Sequence, residues 1–152
     1  MEFCSWLSIE IGKVSKLGRI AGIQIKNYGA LKNIKLGKLL SDRKGKELTN
    51  MNAIIGQSGT GKSTLADAFG FLADCLDQGV EVACDLNGRG GYEKIISQGS
   101  KEPIEFEIYY RETSNEPPIT YELSIGIDKF ERPIIEKERL RQRRANERYF
   151  CF

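Results

Sequence analysis

Histidine is absent from the 152 residues, and this absence excludes several kinds of site at once. General acid–base catalysis by imidazole, zinc sites that combine histidine with cysteine, and nucleophiles activated by histidine all need a residue that this chain lacks. The four cysteines, Cys4, Cys75, Cys84 and Cys151, form no C-x-x-C pair. Scattered cysteines indicate a reduced chain rather than a disulfide framework, so we expect a cytoplasmic protein.

The sequence also lacks a long apolar segment and a strong excess of one charge. Eighteen consecutive apolar residues occur nowhere, and the first residues have neither the basic start nor the apolar run of a signal peptide. The 23 Lys and Arg residues exceed the 21 Asp and Glu residues by only two, so any site for an anionic partner must be local. We expect one soluble folded domain without a membrane span.

Alternating apolar and polar residues predict a series of strands. The predicted strands cover residues 7–11, 20–27, 31–36, 104–108, 121–127 and 130–140. A turn is predicted at Asn27 to Gly29, and the fourth and fifth strands are predicted to form an antiparallel hairpin. Residues 41–46 predict a solvated hairpin loop, and the glycine-rich residues 86–91 predict a plain surface loop.

A strand, a glycine loop and a helix are predicted in succession near the middle of the chain. The apolar run from Met51 to Ile55 ends at Gly56 and is typical of a buried strand in a parallel sheet. Beyond the loop, a helix of about four turns is predicted, because apolar residues recur at helical spacing. Gly79 is predicted to end that helix. The apolar stripe of the helix consists of Leu65, Phe69, Leu72 and Leu76.

The loop between this strand and this helix matches G-x-x-x-x-G-K-[ST], the pattern of a phosphate-binding loop. Its glycines allow successive N–H groups to face a phosphate, and the following helix directs its positive end to the same place. Lys62 is predicted to contact the β and γ oxygens and Ser63 to bind magnesium. The predicted nucleotide-binding residues are Gly56, Gln57, Ser58, Gly59, Thr60, Gly61, Lys62, Ser63 and Thr64.

Several stretches together resemble the N-terminal lobe of ABC-type ATPases of the SMC, RecF and OLD kind, which are AAA-type ATP-binding proteins. The first is a strand of the form I-x-I-x-N-[FY] that ends at Asn27 and Tyr28, followed by the strand at residues 31–36. The second runs from Asn52 to Thr64. Residues 91–96, 105–108 and 121–125 look like the antiparallel lobe that such proteins place after the first helix.

The resemblance implies an α/β fold: a P-loop NTPase lobe with a parallel strand-loop-helix core and an antiparallel β subdomain, here incomplete. It implies one partial nucleotide-binding domain over residues 1–152. Residues 1–18 would be an N-terminal extension, residues 19–78 the strands, P-loop and first helix, and residues 92–140 the antiparallel lobe. The complete protein would bind ATP and Mg, form a homodimer and couple hydrolysis to dimerisation, in DNA transactions or defence, with Lys62 as a catalytic residue.

Two positions depart from this family pattern, and several of its motifs are absent. Many members have Asn at the position of Ser58 and a basic residue at the position of Gly29, so an extra phosphate contact would have to come from Lys32. No acidic Walker B pair, glutamine loop or signature motif is found in the sequence. We therefore expect ATP hydrolysis in the complete protein and not in the isolated chain. The three aromatic residues near the end predict a strand cut in mid-course.

Three alternatives are open at this stage. The chain could be a non-catalytic nucleotide-binding or interaction module, because a general base is missing; the nearest candidate, Asp128, follows an alternating strand. It could be a small GTPase, because a strand at residues 80–84 followed by Asp85-Leu-Asn-Gly88 matches D-x-x-G, although no Asn-Lys-x-Asp is present. A basic segment could bind nucleic acid or be a solvated face with its own ion pairs. It contains Lys137, Arg139, Arg141, Arg143, Arg144 and Arg148.

Overall fold

The computed structural model describes residues 18–42, 44–113 and 116–142, together with the backbone of residues 150–151. Its described strands form one sheet in the order β2-β1-β3-β4-β5-β6, and every pairing among them is antiparallel. The strands are β1 (Arg19–Tyr28), β2 (Leu31–Gly37), β3 (Ile104–Arg111), β4 (Ile119–Ile127), β5 (Pro133–Gln142) and β6 (Phe150–Cys151). The helices are α1 (Lys62–Gln78), α2 (Val80–Asp85) and α3 (Tyr92–Ile95), with a 3-10 turn at Leu86–Gly88.

The mixed α/β class and most of the predicted strands are confirmed. The turn at Asn27 to Gly29 joins β1 to β2, and both residues have positive φ, 58° and 52°, which suits asparagine and glycine. The hairpin of β3 and β4 and the later strand β5 also form where alternation predicts them. The predicted strand at residues 7–11 lies outside the described residues. Of the aromatic chain end, only the backbone of residues 150–151 is described.

The predicted parallel strand at Met51 to Ile55 is not formed. Residues 51–57 have no regular secondary structure, and Met51 and Ile55 are 89% and 94% exposed. A central strand needs hydrogen-bonded neighbours on its sides, and no described strand lies beside this segment. Residues 41–42 and 44–46 are a loop, as predicted, but this loop does not join two paired strands. The described residues therefore contain an antiparallel sheet and no parallel core.

Helix α1 follows the phosphate-loop sequence as predicted, but the stripe it buries is different. Leu65 and Leu72 are buried, whereas Phe69 is only partly buried and Leu76 is 45% exposed. The small side chains of Ala68 and Cys75 allow α1 to approach the sheet closely, and Phe71 fills the space between the helix and the sheet. Gly79 ends the helix as predicted. The residues of α1 that are buried are Leu65, Ala68, Phe71, Leu72 and Cys75.

Three aromatic rings form the centre of the core between α1 and the sheet. The ring of Phe71 lies 5.3 Å from that of Tyr28 and 6.1 Å from that of Phe106, measured between centroids. All three side chains are at most 2% exposed. The tilted ring arrangement adds to the hydrophobic effect of their burial. This cluster fixes α1, and therefore the loop before it, against β1 and β3.

The segment after α1 is helical, which removes the strand that the GTPase alternative requires. Residues 80–85 form α2, and Asp85 is exposed at its end instead of following a strand.

Burial raises the pKa of Cys75 to about 12 and that of Cys84 to about 11, so both thiols stay protonated at neutral pH. Among the described residues, no helix combines the length and apolar character that crossing a membrane requires.

Replacing Gly22 with alanine is expected to destabilise the fold by about 1–3 kcal/mol, the usual cost of overpacking. A Cβ atom at this position in β1 would lie 1.8 Å from the backbone oxygen of Lys38. That backbone cannot move freely, because the N–H of Lys38 and that of Leu48 both donate to the carbonyl of Ala21, at 3.1 and 2.8 Å. Urea unfolding should show a lower midpoint; an unchanged midpoint would show that the Lys38 backbone shifts at no cost.

Candidate functional site

The phosphate-loop sequence forms an exposed turn whose shape depends on two glycines. Gly59 and Gly61 have φ values of 84° and 88°, a region that other residues rarely adopt. Between them, the Thr60 hydroxyl donates to the carbonyl of Gln57 at 2.8 Å and tightens the turn. A side chain at Gly56 would lie only 2.8 Å from that hydroxyl. The loop thus presents backbone to the solvent with little side-chain obstruction.

The loop leads directly into an uncapped helix N-terminus. Gly61 precedes α1, no side chain caps it, and the first turn contains no acidic residue. The first helical hydrogen bond runs from the N–H of Leu65 to the carbonyl of Gly61, at 2.9 Å, so the N–H groups of the preceding three residues have no helical acceptor. Such an end attracts anions through these groups and through the helix dipole.

Lys62 turns back across the loop that it follows. Its ammonium group donates to the carbonyl oxygens of Gly56 and Gln57 at 2.6 and 2.5 Å and lies 3.4 Å from the Thr60 hydroxyl. These contacts place a positive charge at the mouth of the loop. Lys62 is the one side-chain cation within residues 56–64. Lys62 is also the first residue of α1, so the charge of the loop and the uncapped helix end belong to adjoining residues.

Magnesium would have to be held mainly by oxygen atoms outside the protein. Ser63 is exposed in the first turn of α1, and its hydroxyl makes no hydrogen bond with a described residue. Across the described part of the chain, no group of three or more His, Cys, Asp or Glu is placed to bind a metal ion. A hydroxyl together with phosphate oxygens and water suits magnesium, which keeps much of its hydration shell in proteins.

The turn between β1 and β2 supports the start of α1. A Cβ atom at Gly29 would lie 2.8 Å from the methyl carbon of Thr64, and one at Gly61 would lie 3.0 Å from a methyl of Leu31. The N–H of Gly29 donates to the carbonyl of Ile95 at 2.6 Å, which attaches the turn to the end of α3. Lys32, the alternative source of an extra phosphate contact, is exposed on β2 and makes no described contact with the loop.

An ionic network between the buried Arg89 and two acids of α1 was not foreseen from the sequence. Arg89 lies in the glycine-rich segment that was predicted to be a plain surface loop, yet its side chain is only 4% exposed. Its guanidinium binds Asp67 at 3.1 Å and Asp74 at 2.6 Å, and it lies 5.4 Å from the ring centroid of Phe71. The spacing of Asp67, Phe71 and Asp74, at i, i+4 and i+7, was the signal that could have shown a charged pair on the buried side of α1.

The second oxygen of Asp67 is bound by a tyrosine of the sheet. The Tyr28 hydroxyl donates to Oδ2 of Asp67 at 2.5 Å. Burial and the adjacent Asp67 carboxylate raise the pKa of Tyr28 well above its usual range, so the phenol stays protonated and remains the donor. Burial alone would lower the pKa of Arg89, but hydrogen bonds to Asp74 and Asp67 raise it, and the guanidinium stays charged.

The acidic residues considered as catalytic candidates have other roles in the structure. Asp128 forms the turn between β4 and β5: it accepts from the N–H groups of Phe130 and Arg132 at 2.8 and 3.0 Å and pairs with the Arg132 guanidinium. The hydrogen bond from the Arg132 N–H holds the pKa of Asp128 below its usual range. Asp85 is exposed at the end of α2. No described contact joins either residue to the phosphate loop.

The basic segment lies on the sheet face opposite α1. Lys137 pairs with Glu122 at 2.7 Å, and Arg141 pairs with the same carboxylate. Lys137 and Glu122 border a shallow groove of about 250 Å³ that Lys26 and Glu105 also line, themselves paired at 2.7 Å. Arg143, Arg144 and Arg148 lie outside the described residues, so nucleic-acid binding by this segment stays a prediction.

Comparison with known proteins gives one match. The family model described as "AAA domain, putative AbiEii toxin, Type IV TA system" matches residues 51–150, which is 100 of the 152 residues. No curated protein and no solved structure matches the chain. The matched range begins just before the phosphate loop and includes α1 and the hairpin of β3 and β4. The match supports a P-loop ATPase-type domain, a nucleotide-binding class that generally uses ATP and magnesium.

Proposed function

This chain belongs to the AAA domain family, and we propose that its residues 56–64 bind ATP with magnesium. One observation carries the proposal: the exposed loop leads directly into the uncapped N-terminus of α1, and the Lys62 ammonium folds back onto the loop. These features fit a triphosphate, because backbone N–H groups and an ammonium bind phosphate oxygens without needing a buried pocket.

Each part of the loop has a distinct task in this proposal. The N–H groups of residues 59–64 hold phosphate oxygens, and the Lys62 ammonium exchanges a carbonyl partner for a β or γ oxygen. Ser63 offers its hydroxyl to magnesium, which when bound neutralises charge on the β and γ phosphates. Thr64, packed against Gly29, keeps the first turn of α1 in place. No described side chain is assigned to a contact with the adenine ring.

The finer assignment is an N-terminal lobe of an SMC, RecF or OLD-like ABC ATPase. A β1–β2 hairpin supporting the phosphate-loop helix, followed by an antiparallel set of strands, supports it. We extend the proposal to one partial nucleotide-binding domain over residues 1–152 and a homodimer of the complete protein that couples hydrolysis to dimerisation. Hydrolysis needs a group that activates water, and two acids of α1, Asp67 and Asp74, are instead bound to Arg89.

A second candidate is a nucleotide-binding module that does not hydrolyse ATP. The contacts of the acidic residues favour it. Asp67 and Asp74 are both bound to Arg89, and Asp128 accepts hydrogen bonds within the β4–β5 turn. Phosphate release from ATP distinguishes the two. Turnover by the protein that is abolished in Lys62→Ala would exclude the non-catalytic module.

The proposed binding is tested by equilibrium titration of the chain with ATP and with AMP, each in the presence of magnesium. We expect ATP to bind at least about tenfold more tightly, because only ATP carries the β and γ phosphates that the loop and Lys62 contact. AMP is the matched control, since it keeps the base, the ribose and one phosphate. Equal affinities would show that the loop does not recognise a triphosphate.

A further inference from the structure

Asp67 is the point at which three parts of the fold meet. It lies one helical turn beyond Ser63, on the same side of α1. Its Oδ2 accepts from the Tyr28 hydroxyl at 2.5 Å, and its Oδ1 accepts from Nε of Arg89 at 3.1 Å. One carboxylate therefore connects the beginning of α1 to β1 and to the segment after α2.

The segment that carries Arg89 has a backbone built to turn this residue inward. Asn87, Gly88, Gly90 and Gly91 all have positive φ, between 56° and 99°, whereas Arg89 itself is right-handed with φ of −62°. Arg89 also donates to the carbonyl of Ala83 at 3.1 Å. Glycine adopts positive φ without strain and asparagine tolerates it, so this sequence permits the backbone path that directs Arg89 toward α1.

Stability alone does not explain this arrangement. Burying a guanidinium costs much of what its ion pairs return, and apolar residues of similar volume often stabilise a core as well or better. A charged network also restricts the orientation of the elements it joins, because each hydrogen bond fixes a distance and an angle. In α1 the fixed direction is the rotation of the helix about its axis, since Asp67 and Asp74 are two turns apart on one side.

We infer that Asp67, held by Tyr28 and Arg89, is a positioning residue for the nucleotide loop. By setting the rotation of the first two turns of α1, it directs the Ser63 hydroxyl and the first N–H groups toward the phosphates. Asp67 touches no nucleotide atom in this role. The inference rests on the proposed function and names residues outside the loop that the proposed function depends on.

The test compares two tyrosine substitutions in the full chain. Tyr28→Phe removes only the hydroxyl that Asp67 accepts from, and Tyr121→Phe removes a hydroxyl that donates to Glu138 at 2.8 Å on the β4–β5 pair and has no hydrogen bond to Asp67. We expect Tyr28→Phe to lower the affinity for ATP with magnesium about three- to tenfold, because the phosphate contacts lose alignment. Tyr121→Phe should bind ATP as the parent chain does.

Hydrogen exchange supplies a readout that does not depend on nucleotide. Amides of residues 65–67, the first with helical hydrogen bonds, should exchange faster in Tyr28→Phe, while those of residues 74–78, at the far end of α1, keep the parent rate. Asp67→Asn, which keeps one of two acceptors, should show the same pattern. Tyr92→Phe controls for general destabilisation, because it loses a buried hydrogen bond of 2.9 Å to the Ile125 carbonyl without touching Asp67.

The outcomes separate this inference from the function on which it rests. If the parent binds ATP, Lys62→Ala loses binding, and both Tyr28→Phe and Asp67→Asn bind normally, the positioning role is wrong and the proposed function stands. A loss of affinity in Tyr92→Phe equal to that in Tyr28→Phe would also overturn the positioning role, since the effect would be general. If the parent chain does not bind ATP, both the proposed function and this inference are overturned.

Discussion

Replacing Lys62 with alanine is expected to lower the affinity for ATP with magnesium by about 10- to 100-fold. The estimate follows from the loss of a charge-assisted contact, which contributes about 1.5–3 kcal/mol when both partners are ionised. No other side-chain cation lies in the loop, so nothing nearby can replace it. Equilibrium titration of the two chains with ATP and magnesium measures the change.

Two control variants show whether the lost charge is the cause. Lys137→Ala removes the same charge from the opposite face of the sheet, where Lys137 pairs with Glu122, and should leave ATP affinity unchanged. Lys62→Arg keeps the charge and should recover part of the affinity, although its planar group fits a point contact less well. Equal ATP affinity in Lys62→Ala and the parent chain would mean that residues 56–64 do not hold the phosphates.

The sequence was most informative where structure depends on neighbours along the chain. The alternating residues of β1 and β2 and the turn at Asn27 to Gly29 are local patterns, and each formed where expected. The phosphate loop and the start of α1 at Lys62 follow from a motif with a fixed spacing. Such elements need little information about the rest of the fold, so one sequence is enough to predict them.

The sequence failed where structure depends on distant partners. The apolar run from Met51 to Ile55 looks the same whether or not strands lie beside it, and without described partners it is exposed. Arg89 is the opposite case, because a charged residue among glycines looks like solvated surface. Its burial depends on Asp67 and Asp74, more than a dozen residues earlier in the chain.

The identity of the buried face of α1 was only partly predictable for a related reason. A hydrophobic stripe drawn through Phe69 and Leu76 ignores Ala68 and Cys75, which are small enough to let the helix approach the sheet. Rotating the stripe toward these residues brings Phe71 into the core beside Tyr28. The rotation also brings Asp67 and Asp74 to Arg89, so packing and the ionic network favour the same orientation.

Phe71 is therefore the side chain on which the contact between α1 and the sheet depends most. It is fully buried, and its ring lies against Tyr28 of β1 and Phe106 of β3. The Arg89 guanidinium lies over the same ring, 5.4 Å from its centroid. Removing the ring would leave a cavity bounded by two large aromatic side chains and a charged group, none of which can fill it without breaking its other contacts.

Phe71→Ala is accordingly expected to lower the free energy of unfolding by about 3–5 kcal/mol, the usual cost of deleting a buried phenylalanine ring. Guanidinium unfolding followed by circular dichroism measures it. Phe130→Ala is the matched control, because Phe130 is 65% exposed at the β4–β5 turn and the same deletion there should cost within about 0.5 kcal/mol of nothing. Similar losses in the two variants would contradict the placement of Phe71, since a ring at the centre of the core cannot be removed as cheaply as one in solvent.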